Sequence, residues 1–103
     1  MADFFRGTTP TLIIDVGADL SAFDVVWLTL EDEYGHTVTL EKSDLTIDAT
    51  KVSAVLTQQQ TLELMSGRVR AQIRALNGTV AAATDIMSVD VGEILKDGVI
   101  TNG

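Results

Sequence analysis

The residues whose types and spacing could support acid–base chemistry lie close together between positions 31 and 36. Three consecutive acidic residues, Glu31, Asp32 and Glu33, precede His36, the single histidine of the chain. Neighbouring carboxylates can act as a general acid and base, but adjacent acids beside a glycine turn are more typical of a solvated hairpin. The sequence lacks the nucleophile elbow, the zinc-protease motif, the phosphate-binding loop and the spacing of a calcium loop. We therefore predict no catalytic residues, no metal site and no cofactor.

A second group of charged residues lies on one short segment. Arg68, Arg70 and Arg74 are three of the seven lysine and arginine residues in a chain with a formal net charge of -8. On an extended strand they share one face with Gln72, while the apolar residues between them face the core. Two interpretations stay open. The face is either solvated, with arginines paired to carboxylates on neighbouring strands, or a docking strip for an acidic surface of a neighbouring subunit in a homo-oligomer.

The segment 25–32 is the strongest strand candidate, and both of its faces carry apolar residues. Val26, Leu28 and Leu30 share one face, and Trp27 lies at the centre of the other. Immunoglobulin-like folds often bury a tryptophan on such a strand. If Trp27 is buried, the three aliphatic residues point outward and need a cover from the same chain or from a partner subunit. Val26, Leu28 and Leu30 are therefore candidate interface residues.

The elements that must position these residues follow mainly a period of two, which is the pattern of strands. Strands are predicted at 11–16, 25–32, 37–42, 44–48, 51–57, 68–76 and 79–91, the last with a bend among its alanines. A short helix is predicted over 57–65, with Thr57 and Gln60 forming a capping box and Gly67 ending it. Asn77 and Gly78 form the strongest turn signal.

This order of elements predicts the fold class and the domain organisation. About seven short strands with regular turns indicate an all-β fold, an immunoglobulin-like antiparallel β-sandwich with one short connecting helix near residues 58–65. The chain has 103 residues, which suits a single domain spanning 1–103. Apolar residues close to both termini predict flexible or docking ends at 1–7 and 97–103. The final segment, 93–103, is predicted as a short helical turn or a loose tail.

Composition excludes several classes of function. The absence of cysteine rules out disulfides and thiolate metal sites, and it fits a reducing compartment. The net charge of -8 disfavours binding to nucleic-acid phosphates. The N-terminal segment does not have the pattern of a signal peptide, and no apolar run approaches the roughly 20 residues that span a bilayer. We therefore expect neither a nucleic-acid nor a membrane partner.

Three stretches of the sequence carry a family resemblance. RGTTPTLIIDVGADLSAFD (6–24), LTQQQTLELMSGRVRAQIRALNGT (56–79) and VGEILKDGVI (91–100) resemble small virion structural proteins from the tail and baseplate region of tailed phages and prophages of Firmicutes. The general layout is also loosely similar to the N-terminal β-sandwich domain of phage baseplate upper proteins. The resemblance implies a virion structural role and supplies no catalytic residues.

Taken together, these observations predict a non-enzymatic phage virion protein made in the cytoplasm of the host bacterium. Its expected role is protein–protein docking and assembly in a tail or baseplate, with other virion proteins and copies of itself as partners. Two alternatives stay open. One is a capsid decoration or head-completion protein, and the other is a carbohydrate-binding adhesion module, for which Trp27 and Tyr34 would be the aromatic candidates.

Overall fold

The computed structural model describes residues 1–102 and consists mainly of short strands. Among these residues, the strands are β1 (Phe4–Phe5), β2 (Thr11–Asp15), β3 (Val25–Glu31), β4 (Thr37–Glu41), β5 (Leu45–Asp48), β6 (Lys51–Val55), β7 (Gly67–Asn77), β8 (Val80–Ala83) and β9 (Met87–Gly92). One α-helix, α1 (Gln58–Leu62), and one 3-10 turn (Lys42–Asp44) complete the regular structure. The all-β class is confirmed, with more and shorter strands than expected, and the immunoglobulin-like topology stays a prediction.

The strands form two sheets of unequal width. The large sheet has the order β1-β9-β7-β3-β4, and β8 pairs with the end of β7 that β9 does not reach. The small sheet has the order β2-β6-β5. All pairs are antiparallel except β1 with β9, which is parallel. Because the small sheet has only three strands, it is narrower than the sheet it faces.

The hydrophobic core lies between the two sheets and uses alternate residues of each strand. The large sheet contributes Val26, Leu28, Leu30, Val38, Leu40, Val69, Ala71 and Ile73, and the small sheet contributes Val52 and Ala54. Leu56 and Leu64, which flank α1, are fully buried as well. This arrangement closes one continuous core with residues from almost every element.

The position of the three aliphatic residues on β3 corrects the sequence-based interpretation. Val26, Leu28 and Leu30 are each 0% exposed, so they cannot form a contact surface on the folded chain. Trp27 is 41% exposed and points to the other face. The physical reason is that Trp27 shares its face with Thr29 and Glu31, and burying that face would have buried a carboxylate.

The helix α1 starts as its sequence predicts and ends earlier. The Thr57 hydroxyl accepts a hydrogen bond from the Gln60 N–H at 3.1 Å, and the Gln60 side chain accepts one from the Thr57 N–H at 2.9 Å. The predicted capping box is therefore confirmed. The helix ends at Leu62, and Gly67 begins β7, so the prediction that Gly67 ends the helix is wrong. No helix in residues 1–102 is long and apolar enough to cross a membrane.

The predicted strand 79–91 is divided into β8 and β9 by a break at residues 84–86. Thr84 holds this break against β7. Its N–H donates to the Ile73 carbonyl at 2.9 Å, its hydroxyl accepts from the Ile73 N–H at 3.1 Å, and its carbonyl accepts from the Gln72 side chain at 2.9 Å. The chain thus changes its pairing along β7 without losing contact with it.

Both ends of the chain pack near each other against α1. The Arg6 guanidinium donates to the carbonyls of Leu62 and Leu64 at 2.9 and 2.7 Å and pairs with Asp97 at 2.7 Å. The Gln58 side chain forms two hydrogen bonds with the backbone of Ile100. Residues of the stretches 6–24, 56–79 and 91–100 meet here, so these contacts join distant parts of the chain.

Candidate protein-interaction surface

Strand β7 places the predicted interface residues on the outer face of the large sheet. Arg68, Arg70 and Arg74 are exposed, Gln72 is half-buried, and the residues between them are buried. The alternation predicted for this segment is therefore correct. Side chains at alternate positions of an extended strand point to the same side, which brings these four into one row.

Arg70 is paired within the chain. It lies directly opposite Glu31 in the register of β7 with β3, and its guanidinium forms an ion pair with the Glu31 carboxylate. Both side chains are partly exposed, so this pair contributes only about 0.2–1 kcal/mol to stability. Arg70 thus matches the solvated interpretation of the arginine row more closely than the docking one.

Arg74 has a different neighbour. It lies opposite Trp27, and its guanidinium carbon is 5.8 Å from the centre of the indole ring. A cation within about 6 Å of an aromatic face is attracted to it, and at an exposed site this is worth about 0.5–1 kcal/mol. The guanidinium has no ion-pair partner among residues 1–102. Arg74 and Trp27 therefore present an uncompensated cation beside an exposed aromatic ring.

Apolar residues extend this region of the outer face. Leu76, which follows Arg74 on the same face, is 39% exposed, and it pairs across to Val25 on one side and Ala81 on the other. A shallow groove of about 200 Å³ runs between these residues. We refer to Val25, Trp27, Arg74, Leu76 and Ala81 as the Trp27 patch.

The other members of the row contribute less to a contact surface. The Gln72 side-chain amide donates a hydrogen bond to the Thr84 carbonyl at 2.9 Å, so it holds the β8–β9 connection in place. Arg68 lies opposite Asp90, and the backbone N–H of Arg68 donates to the Glu33 carboxylate at 3.1 Å. Ile86 is 54% exposed beside Gln72 and adds one more apolar side chain to this face.

The charge of the outer face is mixed. Two of the three arginines lie opposite acids in the strand register, since Asp90 faces Arg68 and Glu31 faces Arg70, and a third acid, Glu41, lies on the far side of Trp27 from Arg74. The face is therefore not a continuous cationic strip, because the acids offset the arginines over the sheet as a whole. The Trp27 patch combines exposed apolar surface with a cation that no carboxylate in residues 1–102 pairs with.

The acidic and histidine residues singled out by the sequence form a structural junction. Asp32 is 4% exposed, and its carboxylate accepts hydrogen bonds from the N–H groups of Tyr34, His36 and Met65, each at 2.9 Å. The His36 ring lies 2.7 Å from the same carboxylate. Asp32 thus ties the β3–β4 turn to the segment that leads from α1 into β7.

These contacts determine the ionisation of Asp32. Burial of the carboxyl raises its pKa, but the hydrogen bonds from the Met65 N–H, the His36 side chain and two further N–H groups outweigh burial and lower the pKa to about 2. The carboxylate is consequently ionised at neutral pH and fully occupied as a hydrogen-bond acceptor. A general base needs a free lone pair that faces a substrate, and this arrangement leaves none directed outward.

Metal-ligating and buried polar side chains are the other groups in residues 1–102 that could support chemistry. No group of three or more histidine or acidic side chains there is placed to hold a metal ion. No buried side-chain polar atom of the described part lacks a hydrogen-bond partner. Comparison of the chain with protein-family models, with curated proteins and with solved structures found no match.

The sequence-based reasoning missed the residues that complete the Trp27 patch. The sequence leaves open whether Trp27 is buried or exposed, and it does not single out Leu76. A usable signal was present, since Thr29 and Glu31 share the face of Trp27 while the opposite face of β3 is wholly apolar. The pairing of Leu76 with Val25 could not be read from the sequence, because it depends on the register between two distant strands.

Proposed function

We propose that this protein is a phage virion structural protein, a tail or baseplate component that acts as a docking and assembly module. The observation that supports the docking role best is the Trp27 patch, in which an exposed tryptophan and an arginine without an ion-pair partner in residues 1–102 lie beside exposed apolar residues. Tryptophan and arginine are the residue types most enriched among those that dominate protein–protein binding energy. The virion context rests on the resemblance of the three stretches described above.

The composition of the patch favours a protein partner of a particular chemistry. Its apolar part needs a complementary apolar surface, and Arg74 needs a carboxylate or a backbone carbonyl in place of the solvent it now contacts. The partner should therefore present an apolar surface with an acidic residue near its centre. Another virion protein or a second copy of this acidic chain could supply that surface, which fits an oligomeric assembly.

We also propose an immunoglobulin-like topology for the two sheets. In that fold one sheet contains strands in the order B-E-D and the other contains G-F-C, to which variable-type domains add a strand beside C. The orders β2-β6-β5 and β9-β7-β3-β4 correspond to these two sequences of strands. In addition, α1 lies at the connection between the strands that correspond to E and F.

The docking role is tested by changing the Trp27 patch without disturbing the core. The double variant Trp27→Ala, Arg74→Glu should remain folded, because both side chains are on the exposed face. We expect its binding to virion fractions to weaken by about 30-fold or more, which corresponds to the roughly 2 kcal/mol typical of a dominant contact. Binding is measured by co-sedimentation of the purified chain with separated tail and head fractions.

A matched control has the same types of substitution on other surfaces. The double variant Tyr34→Ala, Lys51→Glu also removes an exposed aromatic ring and reverses an exposed cation. It should bind as the unchanged chain does. Equal binding by both double variants would remove the Trp27 patch from the proposal. Binding to head fractions and not to tails would support the capsid-decoration alternative instead.

The structure does not favour the carbohydrate-binding alternative. Trp27 lies in the first half of β3, whereas Tyr34 lies in the turn beyond its end, so the two rings cannot form one platform. One face of the Trp27 ring also has the Arg74 guanidinium over it. A sugar stacks on an open aromatic face, and the His36 ring beside Tyr34 is tilted by 47° at a centroid distance of 6.5 Å, so it does not extend the Tyr34 face.

A further inference from the structure

The edge of the small sheet formed by β2 has backbone groups that no strand within residues 1–102 pairs with. The Val16 N–H donates to the Thr50 carbonyl, and the Leu56 N–H donates to the Pro10 carbonyl. In the register of β2 with β6, these two contacts show which residue pairs of the ladder are hydrogen-bonded. Because hydrogen-bonded and non-hydrogen-bonded pairs alternate in an antiparallel ladder, the even-numbered residues of β2 bond to β6. The N–H and C=O groups of its odd-numbered residues, at 11, 13 and 15, therefore point away from β6 toward the free edge.

The free edge of β2 borders an open trough between the two sheets. One part of the trough is a cavity of about 490 Å³ between the end of β2 and the β8–β9 connection. The other is a cavity of about 240 Å³ between β2 and β9. Asp15 and Met87 line both parts, so the trough is continuous along the edge of β2.

The trough has an apolar floor that the chain covers only in part. Leu12 and Ile14 of β2 and Met87 and Val89 of β9 line it, and all four are half-buried although they face the core side of their sheets. At one end β1 pairs with β9 and inserts the buried Phe4, which closes the space beside residues 91 and 92. The remaining length has no strand beside it, because the small sheet ends at β2.

The middle of strand β2 carries neither a charged residue nor a proline that would protect an exposed edge. Such strands commonly carry lysines, a central proline or a bulge that prevents pairing with another chain. The single proline of the chain, Pro10, precedes β2, and the middle of the strand is Ile13, which is 65% exposed. The edge is therefore suited to accept another strand.

The charge around the trough indicates what kind of strand it would accept. Of the residues that line the two cavities, Asp15 and Asp85 are acidic and none is basic. The chain as a whole has a net charge of -8, so two copies repel each other on average. An occupant with apolar residues toward the floor and lysine or arginine toward the rim would complement both features.

We propose that the trough beside β2 binds an extended segment of a basic partner protein by strand addition. The segment pairs antiparallel or parallel with the free N–H and C=O groups of β2, places alternate apolar side chains on Leu12, Ile14 and Val89, and directs a cation to Asp15 or Asp85. Main-chain hydrogen bonds supply affinity in this mode, and the pockets for alternate side chains supply specificity. This surface is separate from the Trp27 patch, and its test does not depend on the docking role proposed there.

The test uses a capped hexapeptide of alternating valine and lysine as the probe, and a valine–glutamate hexapeptide as its charge control. Isothermal titration and amide hydrogen exchange are measured on the full chain. We expect saturable binding of the valine–lysine peptide only, with new protection of the amides of Thr11, Ile13 and Asp15. Protection of the neighbouring Leu12 and Ile14 amides should not change, because β6 already bonds to them.

Two variants of one residue separate backbone pairing from side-chain contact. Ile13→Pro removes an N–H that points to the free edge, so it leaves the ladder with β6 intact, as prolines on edge strands do. We expect at least about tenfold weaker binding of the peptide, the usual effect of losing one hydrogen bond and its strand geometry. Ile13→Thr keeps the N–H and the branched side chain, and it should bind within about threefold of the unchanged chain.

A charge variant provides a second measurement that does not depend on proline being tolerated. Asp85 is exposed, so Asp85→Lys should leave the fold unchanged and weaken binding of the valine–lysine peptide. No saturable binding at about 1 mM peptide, the weak end of specific recognition, would overturn the proposal. Equal binding of both peptides would contradict the basic partner. A dimer of the chain that Ile13→Pro converts to a monomer would instead identify a second copy as the occupant.

Discussion

Replacement of Asp32 by alanine is expected to lower the free energy of unfolding by about 3 kcal/mol, because several N–H groups lose a charged acceptor at once. The carboxylate is almost fully buried and joins the β3–β4 turn to Met65 at the entry to β7. The adjacent Glu33 carboxylate already accepts from the backbone N–H of Arg68, so it is not free to take over these bonds. Urea denaturation at neutral pH, followed by tryptophan fluorescence, measures the change.

A control for this variant is Asp48→Ala, which removes an exposed carboxylate from the small sheet. It should change the free energy of unfolding by less than about 0.5 kcal/mol, as surface substitutions usually do. If the two variants were equally stable, Asp32 would have no special role in holding the turn.

The same residue predicts how stability depends on pH. The pKa of the Asp32 carboxyl is about 2 in the folded chain and 3.8 where the carboxyl makes no contacts. The stability that the ionised carboxylate contributes to the fold is therefore complete above pH 3.8. The contribution is lost as the pH falls through the folded value, because protonation removes an acceptor that the native state uses. Its size is about 2 kcal/mol, from the difference between the two pKa values.

Comparison with Asp32→Asn isolates this effect from the other carboxylates. The difference in unfolding free energy between the unchanged chain and Asp32→Asn should be constant from about pH 7 to pH 5 and should shrink toward about pH 2. The measurement is a series of urea denaturations across this range. A difference that stayed constant down to the lowest pH would mean that Asp32 does not titrate as described.

Replacement of Arg6 by alanine is the second change expected to have a large effect. The Arg6 guanidinium satisfies the carbonyls of Leu62 and Leu64 at the end of α1, and its side chain is only 13% exposed. Removing it leaves two partly buried carbonyls without a donor, which should cost about 2–3 kcal/mol. Thermal denaturation followed by circular dichroism detects the loss as a lower midpoint.

Two further variants show which contact of Arg6 matters. Arg6→Lys retains the charge but cannot bind both carbonyls with a planar fork. Its unfolding midpoint should therefore lie between those of Arg6→Ala and the unchanged chain. Asp97→Ala removes only the exposed partner, and it should cost less than about 1 kcal/mol. A larger loss in Asp97→Ala than in Arg6→Ala would show that the ion pair, and not the carbonyl contacts, holds the two ends.

Three stretches that are distant in the sequence are joined at one place in the fold. Arg6, the helix α1 and the C-terminal segment are far apart in the sequence, yet Arg6 contacts both of the other two. Thr8 joins the same region, since its carbonyl accepts from the Thr61 hydroxyl at 2.9 Å. The contacts between these stretches therefore close the fold, and they do not by themselves identify a binding surface.

Local chemistry was enough to determine much of the architecture. Alternation of apolar and polar residues located β7 and placed Arg68, Arg70, Gln72 and Arg74 on one face. The capping box at Thr57 located the start of α1, because it involves residues only three positions apart. These features depend on backbone geometry within one element, which the order of residues specifies directly.

The tertiary structure alone decided which surfaces are available. It buried Val26, Leu28 and Leu30 and exposed Trp27 beside Arg74. It also paired β1 with β9, two strands that are far apart in the sequence. It also left the edge of β2 open, because the small sheet has three strands. Each of these outcomes depends on strand register and on how many strands each sheet contains. Strand register and strand number are both set by contacts between residues that are distant in the sequence. A local sequence pattern does not contain the packing energy of those contacts.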